Sequence, residues 1–302
     1  MPTSTFLLND GTRIPVLGFG TGTALMRQEA ANPTKLALEE GFVHFDTAQM
    51  YGNEDVLGGV LAECGKPRAE LYVTTKIAEL KERETIKSSL QGSLKRLRLD
   101  YVDLLLLHAP YYFQGRLKEA WKEMEEVQEE GLTRSIGVSN FDVEDFEQFL
   151  PEARVKPAVN QIEFHPYILG PFESVFQYTN SHGIITESYG ALAPVTREQG
   201  GPLDPILEKI RSRAGEVWCK PVTPAQVLFK WLLQKGVVVV TTSSKKERMR
   251  EYLDVLDMPD LTPAEIEEID AAGKTKQPDP ALPLGRYKRY LDMVVKRSKG
   301  DA

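Results

Sequence analysis

The sequence predicts an α/β protein built as a single (β/α)8 TIM barrel, with an N-terminal β-hairpin and extra helices after the seventh strand and after the last barrel helix. Three observations carry that expectation. Eight short apolar runs suited to strands alternate with helical stretches along the 302 residues, a length that one barrel of about 250 residues with additions can occupy. Runs such as LLLL at 104–107 and VVVV at 237–240 lack polar alternation, as parallel strands buried on both faces do. The words after the first run, GFGTGTA, lack the GxGxxG spacing of an open dinucleotide-binding sheet, so closure is preferred over a doubly wound sheet.

In order, TFLLNDGTRIP at 5–15 places two apolar runs about an Asn9-Asp10-Gly11 turn, a hairpin that would cap one end. Barrel strands are expected at Val16–Gly20, Val43–Phe45, Leu71–Thr75, Val102–Leu107, Arg134–Val138, Ala158–Ile162, Ile184–Glu187 and Val237–Val240. Helices are expected between them at Pro33–Glu40, Asn53–Glu63, Arg83–Leu97, Leu117–Glu130, Val143–Leu150, Phe172–Ser181 and Thr223–Gln234. Asp204–Arg213 is the extra helix after the seventh strand. Thr262–Ala271 opens TPAEIEEID, an N-cap followed by proline at the first helical position, and supplies the helix after the barrel. The stretch 274–302, rich in proline and basic residues, is expected to fold over the barrel mouth through Gly285, Arg286 and Tyr287. No repeat or linker divides the chain, so 1–302 reads as one domain.

Composition narrows the class. A formal charge of −7 and a pI near 5.4 leave no basic footprint for nucleic acid. Two cysteines, Cys64 and Cys219, give no disulfide framework. The opening MPTSTFLLNDG lacks the regions of a secretory signal, and no apolar run reaches membrane-spanning length. A cytoplasmic protein is expected, as a monomer or weak homodimer. His44 and His182 read as structural, His165 as a hydrogen-bonded structural histidine, and no spacing of His, Cys or carboxylate suits a metal.

The chemistry gathers at strand ends. Asp46 ends the second strand, Tyr51 follows in a turn closed by Gly52-Asn53, Lys76 ends the third strand and His108 the fourth. A phenol of pKa about 10 is a poor acid at neutral pH, and a nearby ammonium would lower that value. Lys76 is placed to supply the ammonium, Asp46 to hold it, and His108 to orient a substrate oxygen.

These four residues, in these flanking words, resemble the catalytic tetrad of the aldo-keto reductases, and the likeness runs over nearly all of residues 5–272. It implies NADPH-dependent reduction of a small-molecule carbonyl to an alcohol, with Tyr51 donating the proton. By the same resemblance Ser139, Asn140 and Gln161 hydrogen-bond the nicotinamide carboxamide and Tyr189 stacks on its ring, with Gly190 and Leu192 in the same word. Thr242, Ser243, Ser244, Lys245 and Arg248, where a helix begins, suit the adenosine phosphate and favour NADPH over NADH, with Lys245 or Lys246 standing in for a lysine that the family carries at Thr242. Tyr252 occupies a position where the family has asparagine.

Gly22 and Ala109 stand where many members carry tryptophans, so a widened substrate pocket is expected there, with Tyr111 nearby. The words TGT, LAP and TTSSK resemble a fungal branch that reduces conjugated polyketones, ketopantoyl lactone and α-keto amides, implying activated dicarbonyls or bulky aldehydes as substrates. Two other readings remain open. One is a nucleotide-sensing or scaffold subunit with slow turnover. The other is an unrelated barrel enzyme whose 243–248 cluster holds a substrate phosphate.

Overall fold

The computed structural model describes residues 4–276, so the expected closure by Gly285, Arg286 and Tyr287 lies outside the described residues. The chain opens with strands β1 (Thr5–Leu7) and β2 (Arg13–Pro15), paired antiparallel with Thr5 opposite Pro15. Asp10 accepts from the Thr12 backbone, and Gly11 takes a left-handed φ of 86° that glycine adopts without steric cost. Asn9 Nδ2 donates to the Pro157 carbonyl at 2.7 Å and Thr12 Oγ1 meets Ser135 Oγ at 2.8 Å, which seats the hairpin under the barrel. Leu8 and Ile14 then join Tyr72, Leu104, Leu106, Val159 and Val238 in an inner apolar cluster that plugs that end.

Eight parallel strands follow: β3 (Leu17–Gly20), β4 (His44–Asp46), β5 (Tyr72–Ile77), β6 (Val102–Leu107), β7 (Thr133–Ser139), β8 (Val159–Glu163), β9 (Ile185–Tyr189) and β10 (Val238–Thr241). Pairing of β10 with β3, Val239 opposite Leu17, closes the ring, as expected of strands without a GxGxxG turn. The leucine run of β6 is buried on both sides because neighbouring side chains face opposite ways. Leu104 and Leu106 point inward, whereas Leu105 and Leu107 join the layer shared with the helices.

Around the barrel lie α1 (Ala31–Glu40), α2 (Glu54–Glu63), α3 (Ile86–Leu97), α4 (Leu117–Glu129), α5 (Val143–Glu147), α6 (Leu169–Ser181), α7 (Ala193–Thr196), α8 (Asp204–Trp218), α9 (Pro224–Gln234), α10 (Lys246–Asp254) and α11 (Pro263–Thr275). Boundaries differ from the sequence reading where local chemistry intervenes. The α3 helix starts at Ile86 because Arg83 takes φ +64° and Thr85 caps the helix by accepting from the Ser88 N–H. Helix α5 stops at Glu147, and a 3-10 turn at Leu150–Glu152 with Pro151 at its second position replaces its expected end. Helix α8 runs on to Trp218, where Cys219 in the left-handed region ends it. The short α7 was not anticipated.

Candidate active site

The register of the parallel strands brings chemistry-bearing residues to one end of the barrel. Asp46 is the last residue of β4, Lys76 the last but one of β5, His108 follows β6, Ser139 ends β7 and Tyr189 ends β9. Tyr51 arrives on a 3-10 turn, Gln49–Tyr51, that Gly52 closes at φ 66°. Asn53, buried, pins that turn: its Nδ2 donates to the carbonyls of Thr21 and Leu25, and its Oδ1 accepts from the hydroxyls of Thr21 and Thr47. Asn53 could have been noticed in sequence only as part of a turn word; its role as a clamp needs the fold.

Lys76 is fully buried, and its Nζ donates to both oxygens of Asp46 at 2.6 and 2.7 Å and to the Thr47 carbonyl at 3.0 Å. The same nitrogen stands 3.4 Å from the Tyr51 hydroxyl. His108 meets the Tyr51 ring edge-on, centroids 5.7 Å apart. Burial pulls the Lys76 ammonium down, but the Asp46 charge and hydrogen bonds, with Tyr51, hold it above its ordinary value. At Tyr51 the expectation of a lowered phenol is corrected. Burial raises its pKa more than Lys76 lowers it, because Asp46 offsets much of the ammonium's field and the ring is desolvated. The phenol is therefore protonated at neutral pH, the form that can donate.

Tyr51, Asp46 and His108 open into a cleft of about 470 Å³. Ser139, Asn140, Gln161, Tyr189, Gly190, Leu192, Thr242 and Arg248 also line it, as does Gly22. Asn140, left-handed at φ 62°, donates to the His108 carbonyl and to Ser139 Oγ, and accepts from the Tyr189 hydroxyl at 2.8 Å. Gln161 Nε2 bridges two carboxyl groups, donating to Asp46 Oδ2 and to Glu187 Oε2, each at 2.8 Å. Glu187 is a buried residue at the site that sequence reasoning passed over, since an acid inside a strand word gives no signal by itself. Burial first, then the Asp46 charge, push its carboxyl up to about 8.

Other predicted residues fall outside the cleft lining. Ser243 is half-buried and Ser244 and Lys245 are exposed, and Ser243 Oγ accepts from the Lys245 N–H at 3.0 Å. Lys246 pairs with Glu39 and Glu40 of α1, 3.2 Å from each. Arg248 is exposed and makes no ion pair among the described residues. Ala109 is fully buried and Tyr111 packs edge-on against Tyr112; neither lines the cleft. At Gly22 part of the expected extra space is already taken: a Cβ there would lie 2.8 Å from Tyr51 Cζ. The bare glycine lets the phenol ring approach.

His44 and His108 are neutral. Burial holds His44 at about 4, and burial with the Lys76 charge holds His108 at about 3. Each would take up a proton near about 6.5 in the unfolded chain. A folded pKa held below the unfolded one gives stability that is present above that value and lost as pH falls through the folded pKa. Melting temperature is accordingly expected to fall as pH drops from about 6.5 toward 4, with His44 alone accounting for about 3 kcal/mol. Thermal melts across that range should show a shallower acid limb for His44→Asn; an unchanged slope rules out this assignment.

The sequence family described as Aldo/keto reductase family matches residues 16–274. The chain is 38% identical over 273 residues to an NAD/NADP-dependent indole-3-acetaldehyde reductase of Schizosaccharomyces pombe, covering 87% of this chain and 93% of the relative. It is 33% identical over 290 residues to an NADPH-dependent alpha-keto amide reductase of Saccharomyces cerevisiae, covering 90% and 92%. The crystal structure of an aldo/keto reductase from Brucella melitensis superposes with a TM-score of 0.77 at 33% identity, over 89% of this chain and 99% of that one.

Proposed function

Because the chain belongs to the aldo/keto reductase family, a family of nicotinamide-dependent oxidoreductases that reduce carbonyls, we propose that it converts an activated ketone, dicarbonyl, ketolactone or bulky aldehyde to an alcohol with NADPH as preferred reductant. One observation carries this: a buried ammonium, locked to both oxygens of Asp46, stands 3.4 Å from a phenol that opens into a cleft. The names of the relatives favour the same chemistry, since they act on an indole acetaldehyde and on α-keto amides. We take residues 1–302 as one working unit.

The fit to a dinucleotide rests on what the cleft leaves unsatisfied. Thr242 Oγ1 and His108 Nδ1 are buried with no hydrogen-bond partner among the described residues. The side-chain oxygens of Asn140 and Gln161 suit the amino group of a carboxamide, the Tyr189 ring suits a nicotinamide face, and Arg248 is a cation available to an adenosine phosphate. When bound, NADPH supplies a hydride to the carbonyl carbon. Negative charge then develops on the carbonyl oxygen, and the Tyr51 hydroxyl gives its proton to that oxygen, forming the alcohol. Lys76 stabilises the phenolate left behind, and Asp46 keeps the lysine charged and fixed. His108, held neutral, donates a hydrogen bond to the carbonyl oxygen from whichever ring nitrogen carries its proton. Solvent returns a proton to Tyr51 after product leaves.

Among the described residues, the exposed large hydrophobics are Leu7 and Val217, which offer no continuous apolar face and favour a monomer or weak homodimer. The free thiols Cys64 and Cys219 fit a reducing cytoplasm. The test is a panel of α-diketones, ketolactones, α-keto amides, aldehydes and sugars, run with NADPH and with NADH. Activated carbonyls with NADPH should give the highest kcat/KM, and Arg248→Ala should raise the KM for NADPH about tenfold while sparing NADH. Equal use of both cofactors, with Arg248→Ala affecting them alike, would remove the phosphate assignment. Turnover of simple sugars alone would remove the substrate class.

A further inference from the structure

Glu187 is a buried acid that the reaction just described does not use. It lies in β9, fully buried, opposite Gln161 of β8 and Val238 of β10. Its Oε2 accepts from Gln161 Nε2, and the same nitrogen donates to Asp46 Oδ2, each at 2.8 Å. A primary amide has two N–H groups, and here both are spent on carboxyl oxygens. Gln161 can therefore meet a bound carboxamide only through its oxygen.

The surroundings offer no charge to balance a second carboxylate. The titratable groups facing Glu187 are His44 and Asp46 of β4, Tyr72 and Lys76 of β5, and Tyr51 from the turn after β4. Val238 brings none. Lys76 is already matched by Asp46. His44 Nδ1 faces the Pro15 carbonyl at 3.4 Å and so carries the ring proton, leaving Nε2 to accept from Thr74 Oγ1 at 3.0 Å. The other oxygen of Glu187, Oε1, is buried with no hydrogen-bond partner among the described residues, 3.7 Å from His44 Nε2. A carboxylate oxygen in that position is costly, whereas a hydroxyl there costs far less.

We infer that Glu187 is carried as the neutral acid with its proton on Oε1, and that it acts as a positioning residue. It aims the Gln161 oxygen at the cleft and spares the Asp46–Lys76–Tyr51 chain a second negative charge, so its ionisation sets the alkaline limit of carbonyl reduction. This rests on Tyr51 as proton donor. When Glu187 releases its proton to solvent, the new charge raises the Tyr51 phenol further and makes it a poorer donor. A carboxyl pushed up to about 8 puts that loss within the working range.

The experiment uses the full chain with NADPH and an α-diketone across pH. Glu187→Gln keeps an acceptor for Gln161 but cannot ionise, so the alkaline fall of kcat/KM should move up by about one pH unit or more. Glu187→Ala frees Gln161 and should raise the KM for NADPH about tenfold, with a smaller change in kcat. Infrared titration of the protein alone should show a protonated-carboxyl band that disappears near pH 8 and is absent in Glu187→Gln. Should that variant fail to fold, Gln161→Leu must shift the band by removing its hydrogen bond. An alkaline limb identical in wild type and Glu187→Gln, or no such band, overturns the inference. Turnover that Tyr51→Phe leaves intact would instead overturn the donor assignment, while the infrared titration still decides the state of Glu187.

Discussion

Tyr51→Phe should lower kcat by about 10²–10⁴-fold while leaving NADPH affinity within a factor of about three, the range expected when one general acid is lost. The reason lies in what the ring does and does not touch. Its hydroxyl reaches Lys76 at 3.4 Å, while Asp46 and Thr47 hold that lysine at 3.0 Å or closer, so removing the hydroxyl leaves the ammonium's tighter contacts in place. The ring itself still packs over Gly22 and against His108. Fold and cleft should survive, and only the proton is missing. Water could reach the developing alkoxide in its place, but as a weaker and unpositioned acid. Stopped-flow oxidation of NADPH with an α-diketone measures the chemical step, and fluorescence quenching measures binding. A kcat within tenfold of wild type would mean that another group supplies the proton, with neutral His108 the next candidate.

The legibility of this chain varied with the kind of signal. Closure of the barrel was readable because runs such as LLLL and VVVV lack polar alternation and no GxGxxG turn follows the first strand, and the Val239–Leu17 pairing closes the ring. Asp46, Tyr51, Lys76 and His108 were readable as strand-end residues, since a parallel barrel gathers all such ends on one rim. What escaped depends on contacts between distant strands. The link from Asp46 through Gln161 to Glu187 spans β4, β8 and β9, and nothing in the local words of any one strand announces it. The sign of the Tyr51 shift escaped for the same reason: an ammonium nearby is visible in sequence, but the degree of desolvation that outweighs it is not. Lys246 carries a further contact that the sequence does not announce, since its ammonium pairs with Glu39 and Glu40 of α1, residues about two hundred positions away in the chain.

Lys76→Met should be the most damaging single change to stability, by about 3–5 kcal/mol, because it leaves a buried carboxylate without its cation. Asp46 is 3% exposed, and once Lys76 is gone its remaining hydrogen bond from a side chain comes from Gln161. Nearby Glu187 adds no compensation, being an acid itself. The melting temperature should drop by about 10 °C, and reductase turnover should fall at least a hundredfold as the phenolate loses its stabilising charge. The deficit should depend on pH in a defined direction. In the variant the buried Asp46 carboxylate has lost its cation, and protonation removes that unpaired charge, so stability is best preserved at acid pH. Wild type and variant should therefore converge on acidification, since the acid losses at His44 and His108 affect both. Adding Asp46→Asn to Lys76→Met removes the stranded charge and should recover most of the stability without recovering activity. That non-additivity separates an electrostatic cause from a packing defect, because a cavity left by the lysine stem would persist in the double variant. Denaturant melts of the four chains at neutral pH complete the cycle, and a Lys76→Met chain as stable as wild type would show that Asp46 does not depend on the ammonium at all.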